Sequence, residues 1–337
     1  PSAAFCFLLC LESGPLLFRS VRAGAAVLEP NTFGANRAKL TQYGLEAQVS
    51  AINKRAAEIA REAAGEDRLV AGAVGPLGVR VEPFGPTSRE EAQTLFIEQM
   101  SALKAGGADC FVLETFSDLV ELEQAVIAAR SVDAAMPIIA QATVGPNLTT
   151  SFGASPEDIA RELDRLEVDV IGLNCSVGPQ IILEAIERMA VVTQRKLSAQ
   201  PNAGMPRDVG GRSMYMASPE YMASYARHLI QAGAKIIGGC CGTTPDHIKA
   251  MVEGVRPLSP RGLRPNISVT AELRAASGKP PAVSVDVAPL HERSRFGAKL
   301  AAGKFVTSVE IVPPKGIETE RLEQDAAACA KAGVGAI

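Results

Sequence analysis

The sequence predicts an α/β fold built as a (β/α)8 TIM barrel, on three observations. From about residue 25 to 256, short apolar runs alternate with longer segments of helical period. The short runs are apolar on both faces, as parallel strands covered by helices must be. Residues able to do chemistry stand at the carboxyl ends of many runs: Asn31, Glu114, Cys175, Asn202, Cys240 and Cys241. A barrel gathers such groups around one rim, whereas an open doubly wound sheet uses mainly one switch point. The open sheet is the alternative, but no G-x-G-x-x-G turn follows the first run to support a dinucleotide fold.

The expected strands, in order, are residues 25–31, 69–76, 110–116, 137–144, 168–175, 196–202 and 234–241. The first long helix carries Leu45, Val49, Ile52, Ala56, Ile59 and Ala63 at the spacing of one buried stripe. Three later helices open with a hydroxyl cap followed by proline: Ser155-Pro156, Ser218-Pro219 and Thr244-Pro245. The cap oxygen accepts a helix N–H, and proline has none to leave unpaired there. Gly106-Gly107 and Gly233 stand where helices stop. Residues 257–295 break the rhythm: they hold six of the 22 prolines and read as a linker. Residues 296–337 then offer a strand, a Pro-Pro turn and a helical stretch, the expected opening βαβ fragment of a second barrel.

Composition narrows the function. At 337 residues, 47% hydrophobic and 21% charged, the chain can bury a large core, which excludes wholesale disorder. A net charge of −3 from 34 basic and 37 acidic residues leaves no basic stripe for nucleic acid. Aromatics at 4%, with no Trp, offer no base-stacking platform. Seven cysteines, an odd number without framework spacing, fit a cytoplasmic protein using some thiolates as ligands or nucleophiles better than a secreted disulfide scaffold. The apolar run within PSAAFCFLLCL is too short to span a bilayer, and no other segment reads as transmembrane.

The sharpest chemical signal is Gly172-Leu173-Asn174-Cys175 together with Gly238-Gly239-Cys240-Cys241-Gly242, with Cys175 and Cys240 65 residues apart. Adjacent residues of a regular strand face opposite ways, so Cys240 and Cys241 can share a metal only where the strand has ended. The flanking glycines permit that bend. Three thiolates without a fourth protein ligand would make a zinc site with an open, catalytic position. Two other readings stay open from spacing alone: buried cysteines acting as small hydrophobes, or a redox pair closing as a vicinal disulfide. His228 and His247 read as surface or packing residues, and Met214, Met216 and Met222 as gap filler.

GLNC (172–175) with GGCCGTTPDHI (238–248) resembles the homocysteine S-methyltransferase family. Further matches are LEPNTFGANR (28–37), VAGAVGPLG (70–78), FVLETFSD (111–118) and PNAGMP (201–206), in the family's order across residues 23–256. The resemblance implies a zinc held by Cys175, Cys240 and Cys241, with the homocysteine sulfur as its remaining ligand. Methyl transfer to that sulfur from methyltetrahydrofolate, S-methylmethionine or betaine would give methionine. It further implies that Glu114 holds the homocysteine ammonium and that Asn174 orients the cysteine loop. Asn31 and Asn202 are expected to brace rim loops or touch substrate. FGAKLAAGKFVTSVEIVPPKG (296–316) is similar to the opening of methylenetetrahydrofolate reductases, so the chain looks like part of a bifunctional fusion of the two. Glu310 then matches the acid near that enzyme's flavin. FAD is expected only in a longer version carrying the complete reductase, and reductase activity is not expected from this chain.

The family's first-strand turn, Asp-Gly-Ala-Met-Gly-Thr-like, has no counterpart: residues 1–22 do not match. The expectation is a chain truncated at both ends, with its first strand missing or replaced and half the substrate clamp absent. A catalytically silent thiol- or metal-binding remnant is therefore the alternative function.

Overall fold

The computed structural model describes residues 5–9, 15–209 and 212–256, together with positions 298, 302, 324, 327 and 331. The side chains of residues 5–9 are not among what is described. The chain divides into two units, Pro1–Asn266 and Ile267–Ile337. The 257–295 linker, the reductase-like reading of 296–337 and Glu310 lie outside the described residues.

Unit 1 is a curled, parallel α/β sheet of the TIM-barrel type. Its strands are β1 (Phe5–Leu9), β2 (Val27–Glu29), β3 (Leu69–Val74), β4 (Cys110–Phe116), β5 (Ile138–Ala142), β6 (Val170–Asn174) and β7 (Lys196–Gln200). A two-stranded antiparallel hairpin, β8 (Arg207–Val209) and β9 (Arg212–Met214), precedes the last sheet strand, β10 (Ala234–Gly239). The sheet order is β1-β10-β7-β6-β5-β4-β3-β2. Seven of these strands answer to the seven apolar runs; 110–116 is matched end to end by β4, and the other six are trimmed by a few residues. Phe5–Leu9 stands where the sequence left the first strand missing or replaced: Phe7 is in register with Gly238 of β10 and with Val27 of β2.

The helices are α1 (Pro15–Ala23), the short α2 (Arg37–Leu40), α3 (Val49–Ala64), α4 (Arg89–Ala105), α5 (Leu119–Val132), α6 (Pro156–Arg165), α7 (Pro179–Val192), α8 (Pro219–Gln231) and α9 (Pro245–Val255). Ser155, Ser218 and Thr244 cap α6, α8 and α9, each followed by proline, as their sequence pairs predict. In α9 the cap is reciprocal through His247, whose Nδ1 lies 3.1 Å from the Thr244 backbone nitrogen. His247 is thus a structural residue. The α3 stripe agrees with the expected one at Val49 and Ala63, which are buried, and differs between them: Asn53, Ala57, Ala60 and Ala64 are buried, while Ile52, Ala56 and Ile59 are half-buried. Alanines let the helix approach closely, and Asn53 joins them because its Nδ2 donates to the carbonyls of Ala35 (2.7 Å) and Val49 (2.8 Å). Of the three methionines read as gap filler only Met222 is buried; Met214 and Met216 are exposed beside the hairpin.

Strand alternation separates two cores. Phe111, Leu113, Ile171 and Leu197 pack outward against the helices with Phe96, Met100 and Leu103. The opposite face contributes Val27, Ala71, Ala73, Cys110, Val112, Ile139, Val170 and Ile236 to a smaller apolar floor. Continuing that face by two residues toward each strand's carboxyl end reaches Glu29, Glu114 and Gln141, and by four from Val170 reaches Asn174. The floor therefore carries a polar layer directly above it. Among the described residues no helix is long and apolar enough to cross a membrane.

Candidate metal centre

The polar layer is built from paired side chains across the sheet. Gln200 Nε2 donates to Glu29 Oε1 (3.1 Å), and Gln141 Nε2 donates to Gln200 Oε1 (2.5 Å) and Ser198 Oγ (3.0 Å). Asn174 Nδ2 donates to Glu114 Oε2 (3.1 Å) and Thr115 Oγ1 (2.8 Å), while its Oδ1 accepts from the Thr115 backbone N–H (2.7 Å). Three oxygens in this buried layer have no partner: Glu29 Oε2, Glu114 Oε1 and Gln141 Oε1. Burial pushes the Glu29 carboxyl up to about 8, against the opposing hydrogen bond from Gln200. Glu114 is raised well above the carboxylate range by burial, then by the charges of Glu29 and Cys241.

A carboxyl raised in the fold favours the native state when protonated. Its stabilising contribution is complete below the ordinary value of 4.5 and is lost as pH rises through about 8. Glu29→Gln should therefore flatten the decline in melting temperature across that window and leave stability near pH 4 unchanged; an identical slope in both proteins would overturn the assignment.

Above the layer, three cysteine sulfurs converge, all within 4.8 Å of one another. Cys175 Sγ lies 3.7 Å from Cys241 Sγ, and Cys240 Sγ lies 3.9 Å from Cys241 Sγ. All three are free thiols, as is Cys110 in the floor. Local backbone places them. Cys175 follows β6 at φ 60°, Ser176 at 57° and Thr115 at 63°, left-handed conformations that a non-glycine residue holds only when its surroundings fix it. The Cys175 N–H donates to the Gln200 carbonyl (3.0 Å), and the Cys240 N–H to the Pro201 carbonyl (2.8 Å). Asn202 Oδ1 accepts the Cys241 N–H (3.1 Å), so Asn202 braces the cysteine turn.

The glycines around the pair are sterically required. A Cβ on Gly239 would stand 2.2 Å from Thr243 Oγ1, and one on Gly242, already at φ 79°, 2.2 Å from Tyr215 Cβ. Tyr215, just past the β8–β9 hairpin, thereby packs against the turn that carries Cys241. Burial pushes its phenol up to about 12, helped by the charge of Cys241. Within the trio, hydrogen bonds from Cys175 and Cys240 hold the Cys241 thiol low, and the same sharing pushes Cys240 up.

The structure brings together Cys175, Cys240, Cys241, Glu114, Asn174 and Asn202 of the residues singled out in the sequence. Asn31 is exposed and lies instead on a neighbouring cleft with Lys39 and Tyr43. Sequence reasoning missed Glu29, Gln141, Gln200 and Tyr215. The first two were findable, because Val-Leu-Glu occurs at both 27–29 and 112–114 and Ile-Ala-Gln at 139–141, each placing a polar residue two after an inward apolar one.

Comparison with known proteins agrees with this geometry. The family described as homocysteine S-methyltransferase matches residues 19–255. Methionine synthases of Mycobacterium leprae and Mycobacterium tuberculosis are each 31% identical over 261 residues, 73% of this chain. The match spans 22% of each of those proteins, about a fifth of their length. The homocysteine methyltransferase MmuM of Escherichia coli is similar in structure. Its oxidised form superposes with a TM-score of 0.60 at 25% identity, covering 71% of this chain and 82% of that one. Its metallated form gives 0.57 at 26%, covering 70% and 82%. With the matched residues running from α1 through α9 and enclosing all three clustered cysteines, the chain belongs to the homocysteine S-methyltransferase family.

Proposed function

We propose that this chain transfers a methyl group to the thiol of homocysteine, giving methionine, at a zinc site formed by Cys175, Cys240 and Cys241. The convergence of three sulfurs beside a buried, half-unpartnered Glu114 carries the reading. The donor set suits zinc, being three soft thiolates without a fourth protein ligand among the described residues. When bound, zinc would supply the means of keeping a substrate thiol, of ordinary pKa about 8.5, as a thiolate at neutral pH. Glu114 Oε1 receives the substrate ammonium, and Asn174 fixes the other oxygen so that the carboxylate cannot turn away. Asn202 and the strained Cys175–Ser176 backbone hold the cysteines at fixed spacing, so binding costs little rearrangement. The displacement forms a sulfur–carbon bond as the donor's bond to the same methyl breaks, and aligning the two is the site's remaining task.

The same reading takes Phe5–Leu9 as the strand completing an eight-stranded (β/α)8 barrel over residues 23–256, in a cytoplasmic protein whose thiols stay reduced. It takes 257–295 as a linker and 296–337, with Glu310, as the start of a reductase-like domain. Methionine formation from homocysteine, assayed separately with methyltetrahydrofolate, S-methylmethionine and betaine, tests the proposal. Turnover with at least one donor is expected. Metal-loaded protein that turns over none of them would instead identify a silent metal-binding remnant.

A further inference from the structure

Beside the polar layer, an open cleft of about 670 Å³ is lined by Asn31, Gly34, Lys39, Gln42, Tyr43 and Gly78, among others. Lys39 is its one charged lining residue. The stem of Lys39 is wedged between glycines: a Cβ on Gly78 would stand 3.0 Å from its Cε, and one on Gly34 3.5 Å from its Cδ. Its Nζ sits 4.7 Å from the centre of the Phe33 ring. Phe33 in turn is pressed on Gly75, where an added Cβ would lie 2.2 Å from the ring. Lys39 is therefore held from both sides, not waving in solvent.

No carboxylate among the described residues reaches ion-pair distance of Lys39, although Glu114 and Glu121 both act on it through space. Burial lowers its pKa against that pull. Half-burying an ammonium with only an aromatic face for company costs free energy, which an incoming anion would recover. The cleft wall adds neutral hydrogen-bonding groups, the amides of Asn31 and Gln42 and the phenol of Tyr43. The polar layer beyond it bears only carboxyls, amides, hydroxyls and thiols. Lys39 and the buried Glu114 thus set a base and an acid within electrostatic reach of one another.

We propose that Lys39 and its cleft form a carboxylate-binding subsite, which together with Glu114 orients a zwitterion. The carboxylate could belong to the amino-acid acceptor or to the methyl donor. The inference rests on the homocysteine-methyltransferase reading for its substrates.

Binding of homocysteine and of its decarboxylated analogue, aminopropanethiol, to zinc-loaded protein tests the first source. Calorimetry should show wild type preferring homocysteine by roughly tenfold, the scale of one charge-assisted hydrogen bond, and Lys39→Met losing the preference. Lys39→Arg should keep most of it. The second source predicts unchanged homocysteine binding in Lys39→Met but a KM for the donor raised by about tenfold. If both quantities stay at wild-type values in Lys39→Met, the proposal fails. If wild type holds zinc yet binds no homocysteine, the functional reading fails instead. Zinc content of each variant should equal wild type, since Lys39 is not part of the cysteine cluster.

Discussion

Replacing Cys241 by serine should strip the protein of stoichiometric zinc and reduce methyl transfer by on the order of a thousandfold or more. The size follows from what is lost. A metal acting on a developing or stored charge contributes several kcal/mol, and about 1.4 kcal/mol is a factor of ten in rate. Serine is nearly isosteric, but its hydroxyl is not deprotonated near neutral pH and is a far poorer zinc ligand than a thiolate. The loss falls on this sulfur because it stands between the other two, 3.7 Å from Cys175 Sγ and 3.9 Å from Cys240 Sγ. Cys110→Ser is the matched control. That cysteine is buried in the apolar floor, outside the cluster, and burial with nearby carboxylates pushes its thiol up to about 12. It should keep a full equivalent of metal and near-native turnover. Elemental analysis of reduced, purified proteins reads both results. Full zinc in Cys241→Ser would remove the cysteine trio from the mechanism, and equal loss in both variants would point to damage to the fold.

What the sequence made legible follows physical lines. Parallel strands buried on both faces are continuous apolar runs, so β2 to β7 and β10 were visible, though, β4 apart, their ends were not. Rim residues are as apolar as strand residues (Val144 is buried beyond β5) but leave the hydrogen-bond ladder. The cysteine cluster was visible because two adjacent cysteines between glycines can meet a third only at a strand end. The hairpin of β8 and β9 was not visible, because its strands are three residues each and its sequence, RDVGGRSM, has no apolar alternation. The α3 stripe was caught at Val49 and Ala63 but shifted between them, because periodicity favours isoleucine over alanine, whereas the helix buries Asn53, Ala57, Ala60 and Ala64. Burial of Asn53 could not be inferred at all, since its partners are carbonyls fixed only by the fold. Glu29 and Gln141 were legible in principle. They read as interruptions of apolar strands until the inward face is followed residue by residue.

Glu114→Gln should separate substrate binding from stability. Glutamine keeps the volume of the side chain and an oxygen to accept from Asn174 Nδ2, so the Asn174–Thr115 contacts and the turn at Thr115 should persist. The charge is what disappears. An ammonium losing its carboxylate in a buried site forfeits about 1.5–3 kcal/mol, so KM for homocysteine should rise roughly tenfold to a hundredfold. Zinc content should not change, because Glu114 is not one of the clustered ligands. Stability should move the other way. Burial raises the Glu114 pKa, so its stabilising contribution is complete below the ordinary value of 4.5 and is lost as pH rises toward its folded value. Removing the ionisable group abolishes that loss, and the variant should melt higher than wild type at alkaline pH but equally at pH 4. A carboxyl kept for packing alone would be improved by the change without cost to binding. Weakened homocysteine binding with raised alkaline stability in one protein therefore marks Glu114 as a site residue. Unchanged KM would assign the carboxyl to structure and leave the ammonium to another group.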